Sequence, residues 1–417
     1  MKTKTFLIYA LLAMPLSIVG LPLYIYLPTF YATQININIA TVGLILFIAR
    51  LSDVFTDPLI GYLSDISQKK FNSKKPIMLI GSIMLIFSFY ALINPNMDFA
   101  NLWLLIFSIL IYFAWSLITI SYLTWSSELS NDYYEKTKLN SFRESSTIIG
   151  LVLALVLPYF FTQNIIKEKL DSLFYIFTFL FIPFIIITML TIKTQNSQKY
   201  TTYNFNDIKM LYKKIPNLKS LQVGYFLNNL ANAIPATLFL LFIETIIEKK
   251  EFADTILILY FIAGVIALPF WTLLSKKIGK KRVWIYSIVL ACSAFFFVVF
   301  LQKGDLLLFS IISFLSGLCL GADIAFPTSI QADIVQKSKS LEKNYSGLLF
   351  GIWTMLTKFA LAISVVIAFG ILGLVDFNKD ELTKLSIYTL IFLYGFLPIL
   401  LKLFSLFFIR KYDDIID

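Results

Sequence analysis

Three ionisable residues, Arg50, Asp53 and Asp57, fall within eight positions of an otherwise apolar stretch of a 417-residue chain. Their i, i+3, i+7 spacing puts all three on one helical face. In hydrocarbon each charge costs about 2.5–3.5 kcal/mol, so the group needs a joint explanation. Two carboxylates one turn apart repel when both are ionised. They are reconciled by a shared proton or by a cation between them. A hard cation such as Na⁺ takes oxygen ligands, and the Thr56 hydroxyl and nearby carbonyls extend that donor set. The plainer reading is a salt bridge from Arg50 to one Asp, which leaves the second Asp to explain.

Lys358 lies fourteen residues past Asn344 in another apolar stretch, near mid-membrane. It needs a carboxylate, and the sequence expects it within charge-pair reach of Asp53 or Asp57 in at least one state. Asp323 is the rival partner. Ser121, Thr124 and Trp125 share a face, and a Trp flanked by hydroxyls suits a sugar ring; the alternative for Trp125 is an interfacial belt position. Asn228, Asn229 and Asn232 form a polar stripe that either lines a pathway or joins helices.

The elements that carry these residues are membrane spans. The chain is 58% hydrophobic and 14% charged, against roughly 45–50% and 25% in soluble domains. That balance excludes an ordinary soluble enzyme and a nucleic-acid-binding module. There is no His, and Cys292 and Cys319 lie in apolar runs that define no disulfide framework or zinc site. A spanning helix needs about 20 apolar residues. Twelve segments qualify, near 6–31, 39–64, 76–94, 101–127, 139–163, 171–193, 220–246, 254–276, 282–301, 305–331, 344–371 and 383–409. The first is too long for a signal peptide and lacks a small-residue cleavage pattern, so it is expected to remain as a helix.

With the N-terminus placed inside, cytoplasmic segments hold 25 Lys and Arg and external loops hold 7. The positive-inside rule then expects both termini in the cytoplasm of a multi-pass plasma-membrane protein, in bacteria the inner membrane. The polar stretch 194–219 divides a first six-helix bundle, 1–193, from a second, 220–417. After segment 2 comes Gly61-Tyr-Leu-Ser-Asp65 followed by Lys69 and Lys70, and after segment 8 Trp271-Thr-Leu-Leu-Ser275 followed by Lys276 and Lys277. Six-helix repeats of this kind describe an all-α integral membrane protein of the major facilitator fold. The first copy resembles that superfamily's loop signature, and the resemblance makes Gly61 and Asp65 gating residues.

The run Tyr24-Ile-Tyr26 through Arg50-Leu-Ser-Asp53-Val-Phe-Thr56-Asp57-Pro58, with Trp125, Arg143, Ala332-Asp333 and Gly347-Leu-Leu-Phe350-Gly351-Ile-Trp353 up to Lys358, resembles the glycoside–pentoside–hexuronide:cation symporters. The resemblance implies that Asp53 and Asp57 bind the coupling cation, that Lys358 couples the halves, and that Trp125 and Arg143 line a sugar pocket. Two positions depart from it. Ser17 and Ser121 stand where the sugar-binding members carry acidic residues, the latter beside the cation site. The wider family also includes lysophospholipid transporters.

The expected activity is cation-coupled symport, with Na⁺ or H⁺, of a small solute such as a sugar or glycoside. The alternative is a lysophospholipid-like amphiphile. No Gly-x4-Gly-Lys-Ser/Thr loop points to an ATP-driven pump, and no loop is long or acidic enough for a membrane-embedded enzyme. The partners expected are a small-molecule substrate and membrane lipid, with no cofactor, no nucleic acid and a monomeric state.

Overall fold

A computed structural model describes residues 3–130, 132–158, 166–192, 205–215, 217–338, 345–375, 377 and 383–412. The described residues are helical and contain no strand. In order the helices are α1 (Thr3–Leu11), α2 (Ala13–Thr33), α3 (Ile39–Phe71), α4 (Lys75–Ile93), α5 (Ala100–Glu128), α6 (Tyr133–Val156) and α7 (Ile166–Thr191). There follow α8 (Phe205–Lys214), α9 (Leu218–Phe242), α10 (Ala253–Ile278), α11 (Lys280–Phe296), α12 (Leu306–Ser338), α13 (Ser346–Leu374), α14 (Lys384–Ile391) and α15 (Leu397–Arg410).

Ten helices are long and apolar enough to cross a membrane, among the described residues. Segments 1 and 2 of the twelve expected are not in that number; they correspond to α1 with α2, and to α3. Segment 1 is interrupted at Leu12. Pro15 has no N–H to give to the Leu11 carbonyl, so the hydrogen-bond ladder breaks there. Segment 2 is one helix of 33 residues, α3, and it carries Arg50, Asp53, Asp57, Asp65, Lys69 and Lys70. Pro58 sits inside α3, and Pro183, Pro235, Pro269 and Pro327 sit inside α7, α9, α10 and α12. Spanning helices tolerate such prolines because neighbours satisfy the freed carbonyls. Large apolar side chains such as Phe55, Phe179, Leu190 and Leu307 are more than 70% exposed, as a lipid-facing surface requires.

The chain forms two compact units, Met1–Leu211 with Gln331–Met355, and Tyr212–Ile330 with Leu356–Asp417. The sequence-based bundles end at 193 and begin at 220; in the structure Gln331–Met355 packs with the first unit. In that unit α3 and α4 both pack on α5, and α2 packs on α6 and α7. Its apolar core includes Leu85, Phe89, Phe177 and Phe181. In the second unit α9 and α11 pack on α15. Its core gathers Phe242, Phe309 and Tyr394. Two π-helical turns lie here, Ile243–Ile247 extending α9 and Phe392–Phe396 joining α14 to α15.

The α2–α6 crossing depends on Gly150. A Cβ there would fall 2.1 Å from Ser17 Oγ and 2.2 Å from the Met14 carbonyl oxygen. A hydroxyl can swing aside, whereas backbone cannot. Gly150→Ala should therefore destabilise the protein by about 1–3 kcal/mol. Adding Ser17→Ala should not restore it, because the Met14 clash remains. Thermal unfolding of the three purified proteins in detergent checks this.

Candidate functional site

The charged face of α3 packs on α5. Asp53 Oδ1 accepts a hydrogen bond from the Ser116 hydroxyl at 2.9 Å. One turn earlier on each helix, the Arg50 guanidinium lies 5.9 Å from the Tyr112 ring centroid, a cation–π distance. Asp53 is 5% exposed and Asp57 fully buried. Both carboxylates are thus held away from the lipid face, as their cost in hydrocarbon demands. Beside Asp57 runs the start of α13, where a Cβ on Gly351 would come within 2.6 Å of the Asp57 carbonyl oxygen.

One sequence-derived cation ligand, Ser121, is placed elsewhere, and Thr56 is engaged along its own helix. The Ser121 hydroxyl donates to Ser64 Oγ at 3.1 Å. Ser64 is two helical turns beyond Asp57, about 10 Å along α3, so Ser121 stands away from the carboxylates. The helix α5 hydroxyl at Asp53 is that of Ser116, five residues earlier. Thr56 Oγ1 donates at 3.2 Å to the Asp53 carbonyl and so runs along its own helix. Lys358 is half-buried and belongs to the second unit.

A second polar group joins α1, α5 and α6. Arg143 and Glu144 form an ion pair with both side chains buried. The Tyr9 hydroxyl donates to the Tyr122 carbonyl at 2.9 Å, and the Tyr122 hydroxyl returns a bond to the Tyr9 carbonyl. The Tyr9 side chain is also within interaction range of Arg143 and Ser126. Trp125, fully buried, precedes Ser126 on the same helix. Within this group Trp125 Nε1 and Arg143 Nη1 have no hydrogen-bond partner among the described residues. Buried donors without acceptors are costly. Ser17 points elsewhere: its hydroxyl donates to the Met14 carbonyl at 2.8 Å, at the Gly150 crossing. Tyr9, Ser116 and Glu144 are the residues that sequence reading missed. A buried-charge argument finds Glu144, next to Arg143; Tyr9 carries no such signal.

Asp65 does not face either group. It caps α13: Gly347 N–H and Leu348 N–H donate to its two carboxylate oxygens at 2.9 and 3.3 Å, and Ser346 Oγ donates at 3.2 Å. Lys74 Nζ donates to the same Ser346 oxygen at 3.2 Å. An anion at a helix N-terminus satisfies orphan amides and complements the dipole. The capped turn approaches α3 closely, since a Cβ on Gly61 would lie 2.1 Å from the Gly347 carbonyl oxygen. Buried Lys136 of α6 pairs with Asp333 of α12 at 3.2 Å and also donates to Gln336. Asp65→Asn keeps the shape but loses the charge and turns an N–H toward the α13 amides. The Gly347 and Leu348 amides should then exchange hydrogen about five- to tenfold faster, the equivalent of about 1–1.4 kcal/mol. Hydrogen exchange read by mass spectrometry over residues 346–350 measures it.

In the second unit the Asp323 question has a local answer. Its Oδ2 accepts from Lys402 Nζ at 2.8 Å and from Asn232 at 3.3 Å, and its Oδ1 accepts from Trp284 Nε1 at 3.1 Å. Lys402 also donates to Asn228 Oδ1 at 2.9 Å. Asn228 and Asn232 therefore join helices, while Asn229 bonds back to the Tyr225 carbonyl.

The sequence profile of the family described as MFS/sugar transport protein matches residues 8–413. The chain belongs to that family. It is a transporter, not an enzyme. It is 34% identical over 144 residues to an uncharacterised symporter of Synechocystis sp., a match covering 32% of this chain and 26% of that protein. It is 20% identical to the mouse sodium-dependent lysophosphatidylcholine symporter 1, over 97% of this chain and 84% of that protein. Among solved structures it resembles the major facilitator superfamily transporter FucP in the outward conformation, with TM-score 0.71, 14% identity and 98% of each chain covered. The fold is the all-α major facilitator fold.

Proposed function

We propose that this transporter is a cation-coupled symporter working by alternating access, with the coupling ion, Na⁺ or H⁺, bound at Asp53 and Asp57. The observation that carries the proposal is the buried carboxylate pair on one face of α3, with Ser116 aimed at Asp53. A monovalent cation or proton removes the repulsion that otherwise sets the two groups against each other. Thr56 belongs to this reading as a neighbour on α3, and Lys358 of α13 as the residue that couples ion occupancy to the two halves. Arg50 shields one end of the face, and Asp65 with Gly61 controls the release of the first turn of α13.

The substrate is a small polar solute, a sugar or glycoside, received by Trp125 and Arg143. The unused indole and guanidinium donors suit hydroxyl and ether oxygens, and the buried indole offers a flat apolar face. Tyr9 and Glu144 position the guanidinium. Ser17 and Ser121, with hydroxyls already engaged, leave the acceptor role on this side to Glu144. A lysophospholipid-like amphiphile is the second reading. It is favoured by the full-length similarity to lysophosphatidylcholine symporters and by the adjacent opposite charges of Arg143 and Glu144. The 25 to 7 distribution of basic residues supports cytoplasmic termini in a plasma membrane, and the protein is read as a monomer.

The test is uptake in proteoliposomes holding the purified protein, with labelled sugars, glycosides and lysophospholipids presented under separate Na⁺ and H⁺ gradients. Accumulation of a glycoside that collapses with one gradient supports the first reading. Gradient-driven movement of lysophospholipid alone supports the second. Uptake indifferent to both gradients overturns coupling.

A further inference from the structure

The last helix carries a groove that the transport reading does not use. Leu403, Leu406, Phe407 and Arg410 of α15 recur at i, i+3, i+4 and i+7, so they share one helical face. With Lys411 they line a cavity of about 400 Å³. Leu406 is its buried floor, while Leu403 and Phe407 are more than half exposed. The Lys411 ammonium lies 4.1 Å from the Phe407 ring centroid, which holds it over the groove. Lys281 Nζ donates to the Tyr412 carbonyl at 2.7 Å and ties down the chain just past Lys411. Neither Arg410 nor Lys411 makes an ion pair with a carboxylate among the described residues.

An apolar stripe that ends in two adjacent cations is complementary to one kind of molecule, an alkyl chain that ends in an anion. From Leu403 to Arg410 the stripe runs about 10 Å at 1.5 Å per residue. That is most of one leaflet of a hydrocarbon core about 30 Å thick. We propose that this groove is a binding site for an anionic phospholipid, its chain along Leu403, Leu406 and Phe407 and its phosphate at Arg410 and Lys411. A zwitterionic lipid brings its own ammonium against the two cations and is held less well. Free phosphate satisfies the cations but leaves the apolar stripe uncovered.

The test uses the purified full-length protein in nanodiscs of phosphatidylcholine, with phosphatidylglycerol titrated in and the bound lipid counted by native mass spectrometry. Wild type should retain phosphatidylglycerol in preference to phosphatidylcholine. The double substitution Arg410→Gln, Lys411→Gln should weaken that retention about twenty- to thirtyfold, on the scale of roughly fivefold per cation at an anionic surface. Arg410→Lys, Lys411→Arg keeps both charges and should retain the lipid, which separates lost charge from lost fold. The proposal is overturned if wild type shows no preference, if the neutral pair retains phosphatidylglycerol as wild type does, or if the charge-keeping pair loses it. Displacement of the lipid by millimolar inorganic phosphate would equally overturn it in favour of a plain anion site.

Discussion

Asp53→Asn should abolish gradient-driven accumulation while leaving the protein folded. The carboxamide has the volume of the carboxylate and can still accept from Ser116, so the α3–α5 contact is kept. What disappears is the negative charge that draws a cation into a fully desolvated place. Interactions with a charged partner are worth about 1.5–3 kcal/mol, so cation affinity should fall roughly ten- to a hundredfold. Proteoliposomes distinguish the two halves of this expectation. Concentrative uptake under a Na⁺ or H⁺ gradient should vanish, whereas exchange of labelled for unlabelled substrate, which needs no gradient, should persist. Ser116→Ala should give a milder loss, because it removes one donor and no charge. Wild-type accumulation by Asp53→Asn would end the assignment of the coupling ion to this face.

The second large effect concerns Lys402 and Asp323. Each is buried, and each neutralises the other at 2.8 Å. Lys402→Ala leaves a carboxylate with Trp284 and Asn232 as donors but no countercharge. Asp323→Asn leaves an ammonium held only by Asn228 and an amide. Removing one partner of a buried pair costs about 3–5 kcal/mol, because the survivor stays desolvated and uncompensated. The double change, Lys402→Ala with Asp323→Asn, buries no net charge, and the new amide oxygen still accepts from Trp284 or Asn232. Its cost should therefore be well below the sum of the single changes. Thermal unfolding of the four proteins in one detergent yields the coupling energy directly. Strict additivity would show that the pair is not the clasp of this unit.

The spans were legible because burying backbone in lipid demands long apolar helices, and that demand is written in composition. The face of Arg50, Asp53 and Asp57 was legible for the same reason, since charge in hydrocarbon stands out. What did not show in sequence is how hydroxyls are spent. Ser17, Thr56 and Ser121 looked available, but a short hydroxyl side chain in a helix readily bonds back or sideways, as Ser17 and Thr56 do to carbonyls and Ser121 does to Ser64. Ser116 looked no different from them, and only the register of α5 against α3 brings it to Asp53. Lys402 lies in an apolar stretch, 384–410, that holds no carboxylate, and its partner is 79 residues away in the chain. No local spacing rule reaches that far.

The π-helical turn Phe392–Phe396 sets the rotational phase of everything after it. Such a turn holds one residue more than the regular helix would, and one residue is worth 100° of azimuth. Tyr394 fixes the turn by stacking on Phe242 with ring centroids 4.0 Å apart. A one-residue deletion within the turn would therefore act on α15 as a rotation more than as a shortening. Lys402 would swing away from Asp323 toward the lipid, and the stripe from Leu403 to Arg410 would turn with it. Insertions and deletions in this stretch should be tolerated only in compensating pairs.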